Sequence, residues 1–399
     1  MTGGLSKPRL ARLRATMQAH IEGGRMPGLV ALVSRDGDTH VEALGSLAFG
    51  ASAPMARDTI FRIASMTKPV TAAAAMILVE ECVLRLDDPV DRFLPELADR
   101  RVLRSLQGPV IDTVPAERPI TLRDLLTFRA GYGAVMAAPG TYPIQALTAE
   151  LGLAPGPELA TVGPDEYMAR LSKLPLLHQP GASWRYHTGA DILGVLIARA
   201  SGQAFGDLLA ERIFAPLGMK DTGFQVPADQ LHRLPPAYRA DPATGQVGLF
   251  DEAGVSSRWA SPLPFQSGGG GLVSTADDYL AFCQMLLGHG ALGGTRILSR
   301  PSVLLMTSDQ LTPAQQAEQA MFFGDSASWG FGMAVVTRRT AVGISPGRFG
   351  WDGGYGTSGH ADPHENLVGV LLTQRLMDSP EPPAVFTDFW TSAYQAMED

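Results

Sequence analysis

Phe61-Arg62-Ile63-Ala64-Ser65-Met66-Thr67-Lys68-Pro69-Val70 decides the reading of this chain. Asp58 to Ala64 is an extended, mostly apolar approach, and from Val70 the run Thr-Ala-Ala-Ala-Ala-Met-Ile-Leu-Val-Glu predicts a helix whose small residues let it sit deep in a core. Ser65 and Lys68, three residues apart at the start of that helix, share one face of its first turn, so the ammonium can reach the hydroxyl. A hydroxyl attacks poorly until a base takes its proton, and lysine can be that base only if burial or nearby positive charge lowers its pKa. The N–H groups at the helix start would also stabilise negative charge developing beside Ser65. The plain alternative is a helix-start serine with a solvated lysine one turn on, so the surroundings have to decide.

Working outward, Gly28-Leu-Val-Ala-Leu-Val-Ser-Arg and Thr39-His-Val-Glu-Ala-Leu-Gly read as two strands joined by a tight turn at Asp36-Gly37-Asp38. A helical period over 8–24 precedes them, ending at Gly23-Gly24. At the other end, Gly330 to Thr337, Gly347 to Trp351 and Asn366 to Thr373 read as strands, and Pro383 to Met397 as a closing helix. The middle is helical or loop-like: 134–180 carries no strand signal, Asp191 to Gly202 is a strongly amphipathic helix, and 225–265 is a proline-bearing loop. The expectation is an α/β (α+β) fold. Residues 1–85 and 266–399 build one antiparallel sheet from both chain ends, flanked by helices, and 86–265 form an inserted all-helical domain, with Ser65 at the junction.

The whole composition fits an ordinary soluble globular protein and disfavours several other classes. Of 399 residues, 45% are hydrophobic and 18% charged, and the formal charge of −8 disfavours a nucleic-acid partner or an anionic membrane surface. No stretch approaches the length of a membrane-spanning helix. The N-terminal residues carry scattered charges and no continuous apolar run, which reads as a cytoplasmic protein. Two cysteines, Cys82 and Cys283, are too few for a disulfide scaffold and read as reduced thiols.

Further pieces are needed to make Ser65 a nucleophile. Gln179-Pro-Gly-Ala-Ser-Trp-Arg-Tyr186-His187-Thr188 delivers Tyr186 from a turn just before a helix, and a tyrosine near the lysine ammonium would have a lowered pKa and relay protons to and from Ser65. Trp351-Asp352-Gly353-Gly354-Tyr355-Gly356 ends a strand in glycines that let backbone approach a substrate closely. Gly268-Gly-Gly-Gly271 has neither nucleotide-binding spacing and reads as close backbone packing. Gly343-Ile-Ser345-Pro-Gly347 matches G-x-S-x-G, but the nucleophile elbow needs a helix after it and here a strand follows, so Ser345 is set aside. His187, His360 and His364 read as solvated loop histidines, and no metal-ligand spacing accompanies them.

Taken in order, the S-x-x-K motif at Ser65, Leu-Asp-Asp-Pro-Val (86–90), Ile-Thr-Leu-Arg-Asp-Leu-Leu-Thr (120–127), Pro-Gly-x-x-Trp-x-Tyr186, Ala215 to Phe224, Gly-Gly-Gly-Leu-Val-Ser-Thr-Ala-Asp-Asp-Tyr (269–279) and Gly350-Trp-Asp-Gly-Gly resemble the β-lactamase-like serine hydrolases, whose fold is shared with penicillin-binding proteins and class C β-lactamases. The likeness is greatest to their family VIII carboxylesterases and covers about residues 25–375. It implies Ser65 as acylated nucleophile, Lys68 and Tyr186 as the proton-transfer pair, the N–H groups of Ser65 and Gly354 as oxyanion hole, and no metal or cofactor. Two departures bear on substrate. Tyr186-His187-Thr188 stands where β-lactamases have Y-x-N, and Trp351-Asp352 stands where K-T-G would place a lysine and a hydroxyl. Losing a cation that pairs with a substrate carboxylate costs roughly 2–5 kcal/mol of binding, and Asp352 would add repulsion. The expectation is an esterase for neutral short-to-medium acyl esters. The alternatives are a β-lactamase, a D-amino-acid peptidase or amidase, an acyltransferase, or a non-catalytic sensor that has kept the fold; the presence of both Ser65 and Lys68 argues against the last.

Overall fold

The computed structural model describes residues 4–398. Five helices organise it: α1 (Lys7–Glu22), α2 (Thr67–Glu80), α3 (Thr188–Ser201), α4 (Ala276–Leu287) and α5 (Ala384–Gln395). The main sheet has seven strands: β1 (Gly28–Arg35), β2 (Asp38–Gly45), β3 (Ala327–Trp329), β4 (Ala334–Val336), β5 (Phe349–Gly353), β6 (Thr357–Asp362) and β7 (Leu367–Thr373). Their order is β3-β4-β5-β6-β7-β1-β2, every neighbour antiparallel. Both chain ends therefore build one sheet, joined where β1 pairs with β7 in the register Leu32↔Val370.

Local chemistry explains the pieces. Arg35 pairs with Asp38 across a two-residue turn in which Asp36 and Gly37 both have positive φ, the turn that matches strand twist. β1 and β7 are buried on both faces, so each reads as an unbroken apolar run rather than an alternation. On one face, Leu10, Leu13 and Met17 of α1 and Phe386 and Phe389 of α5 pack with Leu29, Val33 and Leu371. On the other, α2 and α4 pack with Val30, Leu32, Val370 and Leu372 in the principal core, which continues into the inserted region.

The sheet holds two strands more than the sequence reading had, because the C-terminal third divides into five. Thr357-Ser-Gly-His-Ala-Asp has almost no β-branched or aromatic residue, yet all six positions of β6 are buried between neighbouring strands and helices. The insert also departs from a purely helical one. Arg101–Leu103 pairs with Thr113–Pro115, and Ala237–Ala240 pairs with Val247–Asp251 inside the stretch read as loop. The second pair is irregular at Ala237/Tyr238, and its second strand is largely exposed, so it carries little hydrophobic alternation to read. No single helix among the described residues is long and apolar enough to cross a membrane. Cys82 and Cys283 are unpaired, and Cys82 lies just past the end of α2.

Candidate active site

Ser65 lies in a short turn, Ala64–Met66, wound 3-10 fashion and leading directly into α2. Ala64 has a φ of 44°, rare for a residue with a side chain, so this turn is held by its surroundings. They are close. Phe61 and Arg62 pair with Ser274 and Val273, and the buried Arg62 guanidinium donates to Asp251 Oδ2 and to the Pro235 carbonyl, both at 2.7 Å. Breaking such a buried pair from one side leaves an uncompensated charge, so Arg62 locks the approach to Ser65 onto the insert.

Lys68 is fully buried one turn on, and its Nζ is 2.8 Å from Ser65 Oγ. Nζ also donates to the Gly269 carbonyl at 2.5 Å and lies 3.2 Å from His187 Nδ1. Burial pushes the Lys68 pKa down from 10.5 to about 7, against the opposing pull of the Asp191 carboxylate. The requirement for a lysine base at neutral pH is met by desolvation.

Tyr186 sits with its ring centroid 4.6 Å from Lys68 Nζ. It is packed in an aromatic cage, with centroids 5.0 Å from Phe322 and 5.7 Å from both Trp184 and Trp351. The lowered phenol pKa expected from the lysine is not what this cage produces. Burial raises the Tyr186 pKa, overriding hydrogen bonds with Ser65 and Trp351, so the phenol keeps its proton. Trp351 Nε1–H donates to the Tyr186 hydroxyl at 2.6 Å, a contact the sequence did not disclose.

Asp352, the next residue of β5, points to the opposite face of the sheet. Its carboxylate accepts from Ser358 Oγ at 2.5 Å and meets His360 Nε2 at 3.0 Å, while Ser358 also accepts from Trp390 Nε1 of α5 at 2.9 Å. Burial would raise the Asp352 pKa, but His360 and Ser358 outweigh it and hold the group below the usual range. Asp352 nevertheless borders the cavity that Ser65 opens onto, and its charge helps to raise the Tyr186 pKa. Gly353 lies so close to the Ser65 approach that a Cβ there would meet the Ile63 carbonyl at 2.4 Å. Gly354 follows the strand end; like Ser65 it borders the cavity, and neither N–H donates to another backbone carbonyl among the described residues.

Three further residues are placed differently from the sequence reading or were missed by it. His187 is not a solvated loop histidine: its Nε2 is 3.1 Å from Asp191, and Asp191 Oδ1 accepts from Ser267 Oγ at 2.6 Å and Gly269 N–H at 3.0 Å. Its i, i+4 spacing to Asp191 at the start of α3 was the available signal. His360 is likewise buried, against Asp352 and Trp390, whereas His364 is exposed as expected. Gly268 and Gly271 do pack closely, a Cβ meeting the Ala190 carbonyl at 2.3 Å and the Phe224 ring at 2.8 Å respectively, and the loop additionally offers the Gly269 carbonyl to Lys68. Ser345 is buried beneath Arg339, whose Nη2 donates to it at 3.1 Å, and it does not border the cavity. Among the described residues no group of acidic, histidine and cysteine side chains is arranged to hold a metal ion.

Ser65, Tyr186, His187 and Trp351 open onto a cavity of about 700 Å³ whose walls are mainly apolar, among them Met136, Leu153, Leu159, Phe265, Phe322 and Met377. The chain has known relatives. The chain is 32% identical over 383 residues to Esterase EstB of Burkholderia gladioli, covering 91% of this chain and 90% of that one. An uncharacterized protein of Mycobacterium tuberculosis is 39% identical over 375 residues, covering 92% and 90%. Among solved structures, EstCE1, described as a hydrolase with promiscuous acyltransferase activity, superposes with a TM-score of 0.81 at 26% identity over 97% of this chain and 98% of its own. The family model described as Beta-lactamase matches residues 13–386, and the chain belongs to that family, on its esterase-like branch of serine hydrolases.

Proposed function

We propose that the protein is a serine carboxylesterase acting on neutral esters through an acyl-enzyme on Ser65, at the junction of the sheet domain (1–85 and 266–399) and the insert (86–265). The observation that carries this reading is the buried Lys68 amine 2.8 Å from Ser65 Oγ, with a pKa brought to about 7. In its neutral form the amine takes the Ser65 proton as Oγ attacks the ester carbonyl. The N–H groups of Ser65 and Gly354 stabilise the oxyanion of the tetrahedral intermediate. Tyr186 retains its proton until it hands it to the leaving alkoxide, and the Lys68 ammonium then restores the phenol. Water repeats the sequence on the acyl-enzyme, with the proton flow reversed, and releases the acid.

Trp351 supports the choice of esters over anionic β-lactams, since it puts an indole where a carboxylate-binding lysine would stand. The apolar cavity suits a neutral acyl or alcohol group larger than acetyl, and could admit an alcohol in place of water as acyl acceptor. The test compares hydrolysis of p-nitrophenyl acetate, butyrate and octanoate with that of nitrocefin, by the native protein and Ser65→Ala. Ester turnover that exceeds nitrocefin turnover and vanishes in Ser65→Ala is expected. Dominant nitrocefin turnover would overturn the substrate class, and ester turnover surviving in Ser65→Ala would overturn the nucleophile.

A further inference from the structure

Lys68 Nζ has three polar neighbours: Ser65 Oγ at 2.8 Å, the Gly269 carbonyl at 2.5 Å and His187 Nδ1 at 3.2 Å. A neutral amine has two N–H groups and one lone pair. The carbonyl can only accept. Nδ1 accepts when the imidazole proton sits on Nε2, and Asp191 at 3.1 Å from Nε2 calls for it there. Asp191 is fixed in turn by Ser267 Oγ and the Gly269 N–H. Resting on the esterase reading, we propose that His187 is a positioning residue. Its Nδ1 and the Gly269 carbonyl take up both N–H groups of the neutral Lys68 and so turn the lone pair onto the Ser65 hydroxyl.

A second, independent observation is the backbone. His187 has φ 84° and ψ −66°, and the Thr188 N–H bonds back to the Tyr186 carbonyl at 3.3 Å, so a γ-turn is centred on a residue with a full side chain. That conformation is strained and persists only where the surroundings impose it. Here the Asp191 contact and the glycine loop hold the ring: a Cβ on Gly269 would meet His187 Cε1 at 2.9 Å. The strain buys the placement of Nδ1 beside Lys68. Protonation of the ring would turn Nδ1 into a donor and remove the acceptor; the titratable groups facing it are Lys68 from α2, Asp191 from α3 and Tyr186 beside it.

The test uses two variants, of which glycine relaxes the strained turn and asparagine keeps a side chain in it. His187→Gly removes the acceptor, whereas His187→Asn places an amide oxygen near the position of Nδ1 without a titratable ring. After thermal melts show both to be folded, kcat and KM for p-nitrophenyl butyrate are measured across pH. His187→Gly is expected to lower kcat about a hundredfold with KM little changed, and His187→Asn to recover about tenfold or more of that loss. Added imidazole is expected to raise the rate of His187→Gly and not that of His187→Asn. Activity of His187→Gly within about threefold of native, or equal losses in both variants with no response to imidazole, would overturn the proposal. Ser65→Ala assayed alongside separates the two claims: if it is inactive while the His187 series is flat, only the positioning role fails, and if it is active, the esterase reading itself fails.

Discussion

Lys68 is the residue on which the proposed chemistry turns, and its burial makes two measurable statements. A base with a pKa near 7 is mostly protonated in mild acid, so kcat/KM for a neutral ester should rise with pH and level off above a midpoint of about 7. A rate independent of pH between about 5 and 9 would contradict Lys68 as base. The same burial acts on stability. The unfolded lysine titrates near 10.5 and the folded one near 7, so between these values the unfolded chain binds more protons and stability rises with pH. At about 1.4 kcal/mol per unit the penalty below pH 7 is on the order of 5 kcal/mol. Lys68→Met should therefore raise the thermal midpoint at pH 7 while abolishing turnover, and the gain should shrink towards pH 10; a midpoint that falls would contradict it. Trp351→Phe keeps a ring but loses the N–H held 2.6 Å from the Tyr186 hydroxyl, and a drop in kcat of about tenfold is expected, read against an unchanged melting curve. That Ser65, Lys68 and Tyr186 lie together was legible because spacing along a helix and a turn before a helix are local signals. The direction of the Tyr186 shift was not, because the cage that raises it is assembled from Phe128, Trp184, Phe322 and Trp351, scattered over more than two hundred residues.

At the scale of elements, β6 shows where local reading stops. β1 and β2 announce themselves by apolar content and a two-residue turn, and α2 by its run of small apolar residues. Thr357 to Asp362 has no such mark, because its inner face must be thin. A Cβ on Gly359 would meet Tyr279 Cε1 at 2.4 Å and Met66 Cε at 2.6 Å. Tyr279 in turn donates to the Met66 carbonyl at 3.1 Å, next to Ser65. Strand propensity was overridden by tertiary fit. Gly359→Ala should overpack this contact and destabilise the protein by about 1–3 kcal/mol, with a loss of ester turnover through the displaced Met66. Urea unfolding checks the first effect, and a midpoint equal to that of the native protein would contradict the packing described.

The molecule as a whole closes its sheet between residues more than three hundred positions apart, Leu29 beside Thr373 and Arg35 beside Leu367. Strands at both ends and helices between them made that architecture readable before any coordinates. The two small hairpins of the insert were not readable, since strands of three to five residues carry too little periodicity to separate from loops. Nor was the 700 Å³ cavity, whose walls come from segments between residues 64 and 382 that only the fold brings together. The central claim is that all this converges on one acylated serine. The most direct test is mass spectrometry of the protein after reaction with diethyl p-nitrophenyl phosphate, followed by tryptic mapping. One phosphoryl adduct is predicted on the peptide from Ile63 to Arg85, at Ser65, in step with loss of ester hydrolysis. An adduct on Ser345 or elsewhere, or full hydrolysis by protein modified at Ser65, would contradict the account.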